Sequence, residues 1–271
     1  MTTPEDRCRT FRELHQSGCF VIPNPWDVGS ARILEQLGFP ALATTSAGFA
    51  WSQGLADGSA TLGQILGHFR SIAESVDVPI NADFEGGYAI EPAAVGVHVA
   101  AAAETGIAGL SIEDSTGDPS NPLFDFTLAV DRIRASRKAL DESGTGVLLT
   151  ARTEGFITGR PDLEETIRRL VAFAEAGADC LYAPGIHTLE QIAAVVQAVA
   201  PKPVNVLVPG SSFSVAQLAD LGVRRISLGS SLAGAAMTGF VRAAREIAES
   251  GTFTSRAESM SFSEVNGLFA R

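Results

Sequence analysis

The sequence predicts an α/β protein folded as a TIM (β/α)8 barrel with an extra C-terminal helical segment. One unit, made of a short apolar run, a polar Gly-rich turn and an amphipathic helix, occurs eight times. The apolar runs are nearly continuous, which suits parallel strands buried on both faces. The length of 271 residues also fits one barrel of about 250 residues. The alternative with the same alternation is a doubly wound open sheet.

The predicted strands are the eight short apolar runs. They are Cys19–Pro23, Ala41–Thr45, Val78–Ala82, Gly109–Ile112, Gly146–Ala151, Cys180–Ala183, Val204–Leu207 and Arg225–Leu228. The helices predicted after them are Ser30–Leu37, Leu62–Ser75, Pro92–Thr105, Thr127–Ser143, Leu163–Ala176, Leu189–Val199, Val215–Leu221 and Leu232–Ser250. Several helices end in a glycine, because glycine adopts the left-handed conformation that ends a helix at little cost.

No linker divides the chain, so we expect residues 1–250 to form one barrel domain that carries the catalytic site. Residues 251–271 lie beyond the eight units and are expected to form a C-terminal helical extension. Leu268 and Phe269 in this extension have no barrel core left to bury them. Apolar groups of this kind usually mark an interface, so the extension is expected to contact another subunit.

Composition excludes several classes of function. The net charge is −11 and no run of Lys or Arg occurs, which argues against binding to nucleic acid or to anionic membranes. No apolar run approaches the roughly 20 residues that span a bilayer. The three cysteines are unpatterned and the N-terminal residues are polar, so we expect a cytoplasmic protein with reduced thiols and no secretory signal.

Three polar clusters follow three of the predicted strands. Asp83 and Glu85 follow the third, Glu113 and Asp114 follow the fourth, and the pair Arg152 and Glu154 follows the fifth. In a TIM barrel the carboxyl ends of the strands surround the active site. Clustered carboxylates there need a cation, and oxygen ligands suit Mg²⁺ or Mn²⁺.

Other strand ends add groups that suit an oxygen-rich substrate. The fork of Arg152 can hold a carboxylate. The turn Ser46-Ala47-Gly48 can direct backbone N–H groups at a carbonyl or enolate oxygen. Trp26, after the first strand, is a candidate wall of the pocket, whereas Asp27 is more simply explained as a helix cap. The combination predicts a site for a 2-keto acid or its enolate.

These motifs together resemble the isocitrate lyase/phosphoenolpyruvate mutase superfamily from Val21 to Gly239. The matching runs are Thr45-Ser46-Ala47-Gly48-Phe49, Gly54-Leu55-Ala56-Asp57, Asp83-Phe84-Glu85-Gly86-Gly87-Tyr88, Ile112-Glu113-Asp114 and Ala151-Arg152-Thr153-Glu154. The resemblance implies a Mg²⁺-dependent barrel that makes or breaks a C–C or C–P bond beside a 2-keto acid unit, through an enolate. It also implies a homodimer or homotetramer with an exchanged C-terminal helix.

The resemblance also implies a role for each matching position. Ser46 and Gly48 correspond to the turn that holds the substrate carboxylate and carbonyl oxygen, and Arg152 to the substrate-binding arginine. The implied metal ligands and the groups around them are Asp83 as the main ligand, Glu85 where the family usually has a second aspartate, and Asp57 and Glu113 on metal-bound water.

Two departures from the family pattern limit the function. The loop Ser115–Asp125, after the fourth strand, has neither the cysteine of the isocitrate and methylisocitrate lyases nor the lysine of the mutases. Pro184 stands where those enzymes have a glutamate or histidine after the sixth strand, and His187 lies nearby. The interpretation is a C–C lyase for a small 2-keto or 2-hydroxy carboxylate, such as oxaloacetate or a 2-alkylmalate. A phosphonopyruvate mutase or hydrolase and a non-catalytic barrel that binds a keto acid are the alternatives.

Each site residue also has a purely structural interpretation. Asp83 and Glu85 could be charges at a helix start, and Glu113 could be the buried partner of an arginine. Arg152 could pair with Glu154 or Glu113 rather than with substrate. His187 could simply face solvent.

Overall fold

A cylinder of short parallel strands forms the centre of the computed structural model, which describes residues 2–210, 213–255 and 259–270. Within these residues the strands are β1 (Phe20–Ile22), β2 (Leu42–Ala43), β3 (Ile80–Asp83), β4 (Gly109–Glu113), β5 (Leu148–Arg152), β6 (Cys180–Tyr182), β7 (Val204–Leu207) and β8 (Arg225–Ser227). Their spatial order is β1-β8-β7-β6-β5-β4-β3-β2, and each neighbouring pair is parallel. The predicted TIM barrel is confirmed.

The barrel closes where β1 meets β2, through contacts at the carboxyl ends of these strands. The N–H of Ala43 donates to the carbonyl of Pro23 over 3.0 Å. The side-chain amide of Asn24 donates to the carbonyl of Thr44, also over 3.0 Å. Among the described residues, β2 forms its ladder with β3, and these two bonds connect it to the chain at the end of β1.

Helices surround the barrel and match most of the prediction. Over the described residues they are α1 (Pro4–Leu14), α2 (Val28–Gln36), α3 (Ser46–Ser52), α4 (Leu62–Ser75), α5 (Pro92–Ala103), α6 (Phe126–Ser143), α7 (Leu163–Glu175), α8 (Leu189–Val199), α9 (Val215–Asp220), α10 (Ser231–Ser250) and α11 (Phe262–Gly267). The bounds of α4 and α8 equal the prediction. The helices α1 and α3 were not predicted from the pattern.

The end of the second strand differs from the prediction because another helix begins there. Thr45, predicted as its last residue, is instead the N-cap of α3, and its side chain accepts the N–H of Gly48. The run Ser46-Ala47-Gly48 is therefore the first turn of a helix and not a flexible turn. A threonine in extended conformation is a good cap, and this local bond ends β2 early.

Polar side chains meet inside the barrel below the site. Arg225 on β8 donates hydrogen bonds to Asn205 on β7, Asn81 on β3 and Thr150 on β5. Because β3 and β5 are not neighbours of β8, these side chains must meet in the barrel interior. Arg225 also donates to His15, which follows α1, over 3.3 Å. The end of α1 therefore closes the amino end of the barrel.

The C-terminal helices leave apolar side chains uncovered. Among the described residues of α10, Ala233 is the one that is buried. Phe240 on this helix is 70% exposed, and Phe262 on α11 is 85% exposed. No helix in the described residues is both long and apolar enough to cross a membrane.

Candidate active site

The carboxyl ends of the strands open into a cavity of about 800 Å³. Its wall includes most of the residues that the sequence singled out: Ser46, Ala47, Asp57, Asp83, Glu85, Glu113, Arg152 and Glu154. Asp83, Glu113 and Arg152 are the last residues of β3, β4 and β5. Three adjacent strands therefore bring together side chains that are far apart in sequence.

Arg152 lies at the centre of the acidic groups. Its guanidinium contacts Asp83 at 3.5 Å and Glu113 at 3.4 Å, and it forms a two-pronged pair with Glu154. Glu113 and Arg152 are direct partners in the β4–β5 ladder. Beneath the guanidinium lies the ring of Tyr182, with its centroid 5.2 Å away. Arg152 is thus held by a ring and by carboxylates.

The carboxylates outnumber the positive charge that can neutralise them. Burial raises the pKa of Glu113 well above its usual range, and Glu154, Asp83 and Glu85 add to the increase. Burial also raises the pKa of Glu154. Burial by itself would lower the pKa of Arg152, but Glu154 and Glu113 outweigh this and raise it well above its ordinary value. The site therefore favours binding of a further cation.

The first turn of α3 packs directly against β3. The N–H of Ser46 donates to Asp83 Oδ2 over 3.0 Å, and the N–H of Gly48 donates to the hydroxyl of Thr45 over 3.2 Å. Two of the three predicted amide donors thus already have partners. The N–H of Ala47 has no acceptor among the described residues, and Ala47 lines the cavity.

The loop after β3 aims a second carboxylate at the cavity. Glu85 and Tyr88 both have positive φ, at 46° and 57°, which is uncommon for residues other than glycine. This backbone allows the hydroxyl of Tyr88 to donate to Glu85 Oε1 over 2.6 Å. Burial raises the pKa of Glu85, although this hydrogen bond opposes the increase.

A hard divalent cation is the group that this donor set fits. The described residues contain no group of three or more His, Cys, Asp or Glu side chains close enough to hold an ion by themselves. Mg²⁺ usually keeps several waters and needs only one or two carboxylates. The carboxylates are too far apart to bind one ion together, and they carry excess negative charge. Both features are consistent with Asp83 as a direct ligand and with Glu85, Glu113 and the exposed Asp57 acting through water.

Two predicted lining residues lie behind the cavity wall. The described lining includes neither Trp26 nor Gly48. A Cβ on Gly48 would lie 2.7 Å from Thr45 Cγ2 and 2.9 Å from Trp26 Cβ, so the glycine allows close packing of α3. Asp27 caps α2 through a bond from the N–H of Ser30, as the capping interpretation predicted.

The structure separates the neighbours Glu113 and Asp114. Successive strand residues face opposite sides, so Asp114 points away from the cavity and accepts bonds from Thr153 and Arg169. His187 is exposed, its ring bonds to the carbonyl of Gly185, and it is absent from the described lining. This position agrees with the interpretation that His187 faces solvent.

Two aromatic residues of the wall, Tyr88 and Tyr182, were not predicted as site residues. Tyr182 looked like an ordinary apolar strand residue, but it is the partner of Arg152 in the β5–β6 ladder. This pairing follows from the register of β5 and β6, which a single sequence does not specify. Tyr88 could have been suspected from its place beside the acidic run, but its contact depends on positive φ.

Fold and site together define a barrel enzyme with an acidic cavity that is centred on one arginine. The family model described as phosphoenolpyruvate phosphomutase matches residues 11–248. The chain belongs to this family, within the phosphoenolpyruvate mutase/isocitrate lyase superfamily that the motifs resemble.

Three similar proteins illustrate this family. An uncharacterized protein of Mycobacterium tuberculosis is 34% identical over 244 residues, which cover 89% of each chain. The oxaloacetate decarboxylase of Paraburkholderia xenovorans is 30% identical over 247 residues, with 83% of this chain and 75% of that protein covered. A crystal structure from Burkholderia cenocepacia J2315, described only provisionally as a lyase/mutase, has a TM-score of 0.95 and 43% identity, covering 99% of this chain and 97% of that one.

Proposed function

We propose that this protein is a Mg²⁺- or Mn²⁺-dependent C–C lyase that acts on small 2-keto or 2-hydroxy dicarboxylates through an enolate. The observation that carries the proposal is the position of Arg152 among Asp83, Glu113 and Glu154 in one wide cavity. The similarity to an oxaloacetate decarboxylase supports oxaloacetate as a substrate. Substituted malates are the other class that we expect to react.

Arg152 is the group that we assign to a substrate carboxylate. Its contacts with Asp83 and Glu113, at 3.5 and 3.4 Å, are longer than good hydrogen bonds, so a substrate can replace them at low cost. The two-pronged pair with Glu154 and the ring of Tyr182 keep the guanidinium oriented during this exchange. A planar fork held in this way suits a planar carboxylate.

The start of α3 is the part that we assign to the carbonyl oxygen. Ser46 and Ala47 line the cavity, and we assign the N–H of Ala47 and the hydroxyl of Ser46 as donors to an oxygen on which negative charge develops. Gly48 supports this role from behind, because its missing side chain lets α3 approach Trp26. In this proposal Gly48 and Trp26 shape the pocket without touching the substrate.

A divalent cation, when bound, supplies Lewis-acid stabilisation of the enolate. We assign Asp83 as its main ligand, with Glu85, Glu113 and Asp57 accepting hydrogen bonds from the surrounding water. These carboxylates also repel free dianions, so the cation is expected to bind before the substrate. Its loss should abolish both substrate binding and turnover.

The loop Ser115–Asp125 limits which bond can be broken. Ser115, Thr116 and Gly117 line the cavity, yet the loop contains no cysteine or lysine to act as an acid. A lyase must protonate the carbon that it releases. Reactions in which water can supply this proton, such as cleavage or decarboxylation of oxaloacetate, should therefore be faster than cleavage of isocitrate.

The test is a substrate panel read by mass spectrometry. Purified protein is given oxaloacetate, a 2-alkylmalate, isocitrate or phosphonopyruvate, with Mg²⁺ or with chelator. We expect keto-acid or oxalate products from the first two in the presence of Mg²⁺ only. Arg152→Ala should reduce their kcat/KM by about 100-fold or more. Arg168→Ala, which removes an exposed arginine paired with Glu165, is the matched control and should change little.

Phosphonopyruvate is included because the family model is described by a C–P enzyme. Release of inorganic phosphate or formation of phosphoenolpyruvate, without turnover of either dicarboxylate, would replace this proposal with a C–P activity. Tight binding of oxalate, an enolate mimic, without turnover of any compound would instead indicate a non-catalytic binding protein.

A further inference from the structure

The loop after β3 adopts an unfavourable backbone that something must hold in place. Glu85, Gly87 and Tyr88 all have positive φ, and two of these three are not glycine. Backbone conformations of this kind persist only where the surrounding structure determines them, and they cluster at functional sites. The same loop carries Glu85, a proposed cation-binding group. The contacts that hold the loop are therefore part of the site.

One buried arginine provides most of these contacts. Arg132 on α6 is 1% exposed and lies in the cavity wall. Its guanidinium donates to the carbonyls of Gly86, Ala89 (2.5 Å) and Ile90 (2.7 Å). No described carboxylate forms an ion pair with it. Burying a cation whose hydrogen bonds all go to main-chain carbonyls is energetically costly. This cost indicates that the conformation of the loop is important.

A histidine completes the contacts from the neighbouring helix. The ring of His98 on α5 bonds to the carbonyl of Gly87 over 2.8 Å. A carbonyl only accepts, so Nδ1 of this histidine carries the proton. Together, His98 of α5 and Arg132 of α6 bind four of the five main-chain carbonyls of residues 86–90.

Arg132 also contacts the end of the loop Ser115–Asp125. The centre of its guanidinium lies 4.1 Å from the ring centroid of Phe124. Phe124 is tied to β4 by a bond from its N–H to the carbonyl of Asp114 over 2.9 Å. Arg132 therefore lies between the loop that carries Glu85 and the C-terminal end of the loop Ser115–Asp125.

We propose that Arg132 is a positioning residue that holds Glu85 and Tyr88 in the geometry needed to bind the divalent cation. This inference rests on the proposed function, because it assumes that the cation binds at Asp83 and Glu85. Arg132 does not touch the cation or the substrate. It acts through the carbonyls of the loop after β3, while its stacking on Phe124 holds the end of the loop Ser115–Asp125 beside that loop.

The sign of the effect separates positioning from simple electrostatics. Arg132 is a positive charge in the wall of a cation site. If only its charge mattered, its removal would strengthen Mg²⁺ binding. If it positions the loop, its removal should weaken Mg²⁺ binding despite the loss of repulsion.

The experiment compares three variants by calorimetry with Mg²⁺ alone and by hydrogen exchange. Arg132→Met removes the charge and the three bonds, and Arg132→Lys keeps the charge but not the fork. Arg134→Met removes an equal charge from an exposed position on α6 and is the control. We expect Arg132→Met to bind Mg²⁺ about 10- to 100-fold more weakly, as for other supporting residues around metal sites. Arg132→Lys should be intermediate, and Arg134→Met should be unchanged.

Hydrogen exchange provides a readout that needs no cation. Amides in the segment 85–90 should exchange faster in Arg132→Met and Arg132→Lys than in the wild type, and those in β7 and β8 should not. Thermal unfolding verifies that each variant is folded. If Arg132→Met does not fold, both Mg²⁺ calorimetry and hydrogen exchange are performed on Arg132→Lys.

Two results would overturn the inference. One is unchanged or tighter Mg²⁺ binding in a folded Arg132 variant. The other is unchanged exchange in the segment 85–90. Asp83→Ala, measured alongside, separates this failure from that of the proposed function: undiminished Mg²⁺ binding in Asp83→Ala would refute the cation site itself, and the exchange data would still decide whether Arg132 holds the loop.

Discussion

Arg152 is shared by several carboxylates, and this sharing makes the site sensitive to single residues. Glu154 provides its shortest contacts, whereas Asp83 and Glu113 lie at longer distances and remain available for other partners. Asp83 also accepts the N–H of Ser46, so it links β3 to α3. Removing each of these carboxylates is therefore expected to have a different effect on cation and substrate binding.

The first prediction compares two of these carboxylates. Asp83→Ala should abolish measurable Mg²⁺ binding, because it removes the proposed main ligand. Glu113→Ala should weaken binding only by about 10-fold, since a group that acts through water contributes less. Calorimetry with Mg²⁺ tests both, with Asp131→Ala, which removes a partly exposed carboxylate of α6, as control. Equal losses in both variants would contradict the assignment of one direct ligand.

The second prediction concerns pH and His15. Burial, followed by the charge of Arg225, lowers the pKa of His15 to about 3, whereas an unfolded histidine titrates near 6.5. The unfolded chain therefore binds a proton that the folded chain excludes. The stability that neutral His15 contributes is present above about pH 6.5 and is lost as the pH falls from there toward 3.

His15→Gln should remove this part of the pH dependence, because glutamine can also donate to the carbonyl of Phe11 and accept from Arg225. Between pH 7 and 5 the wild type should lose about 2 kcal/mol more unfolding free energy than the variant, at about 1.4 kcal/mol per pH unit below 6.5. Urea denaturation at both pH values measures the difference. Curves that stay parallel would contradict it, and exposed His187→Gln serves as control.

At the scale of elements, two short segments after strands shape the cavity. The helix α3 presents Ala47 and depends on Gly48 for its close packing. The loop Ser115–Asp125 forms a small antiparallel bridge between Ser115 and Leu123. Asp118 accepts bonds from the N–H and hydroxyl of Ser120 at its tip. These local bonds order the tip without anchoring it to the barrel.

The third prediction is that this loop acts as a lid. Its ends are fixed, because Arg169 donates to the carbonyl of Phe124 and to Asp114, but residues 117–121 are expected to move. Hydrogen exchange in this stretch should slow when Mg²⁺ and oxalate are added together, since closure excludes water from the enolate. The exposed turn at Gly144, which ends α6 and lies outside the cavity lining, offers an internal comparison. Equal exchange with and without ligand would argue against a lid.

At the scale of the whole molecule, many of the exposed large apolar side chains among the described residues lie on the C-terminal helices. Phe240, Phe262 and Val265 are exposed on α10 and α11. The net charge of −11 keeps most of the surface polar, and an apolar surface on such a protein usually marks a contact with another subunit. We therefore propose that residues 251–271 act as the oligomer contact of a homodimer or homotetramer, as the superfamily resemblance implies.

The fourth prediction follows from this surface. Deleting residues 255–271 should lower the association state in sedimentation experiments at micromolar concentration, because the deletion removes the exposed apolar groups of α11. Val97→Ser, which alters an isolated exposed apolar residue on α5, should have no effect. A wild-type protein that sediments as a monomer would refute the proposed contact.

The sequence by itself determined the barrel, because periodicity and helix-ending glycines are local signals that repeat with each unit. It also placed Asp83, Glu113 and Arg152 at strand ends, where the fold must bring them together. It missed α3, since a threonine cap overrode the strand pattern at Thr45. The bounds of other strands, such as β3 and β5, differ from the prediction by one or two residues.

Only the tertiary structure decided which residues near the strand ends face the cavity and which contacts hold them there. Strand register placed Tyr182 beneath Arg152, and contacts with Thr153 and Arg169 hold Asp114 away from the cavity. Arg132 and Glu85 are 47 positions apart in sequence, yet α6 brings the arginine against the loop that carries this glutamate. Such contacts depend on packing between distant elements. A single sequence carries no local signal for them, because the physical cause lies in the geometry of the closed barrel.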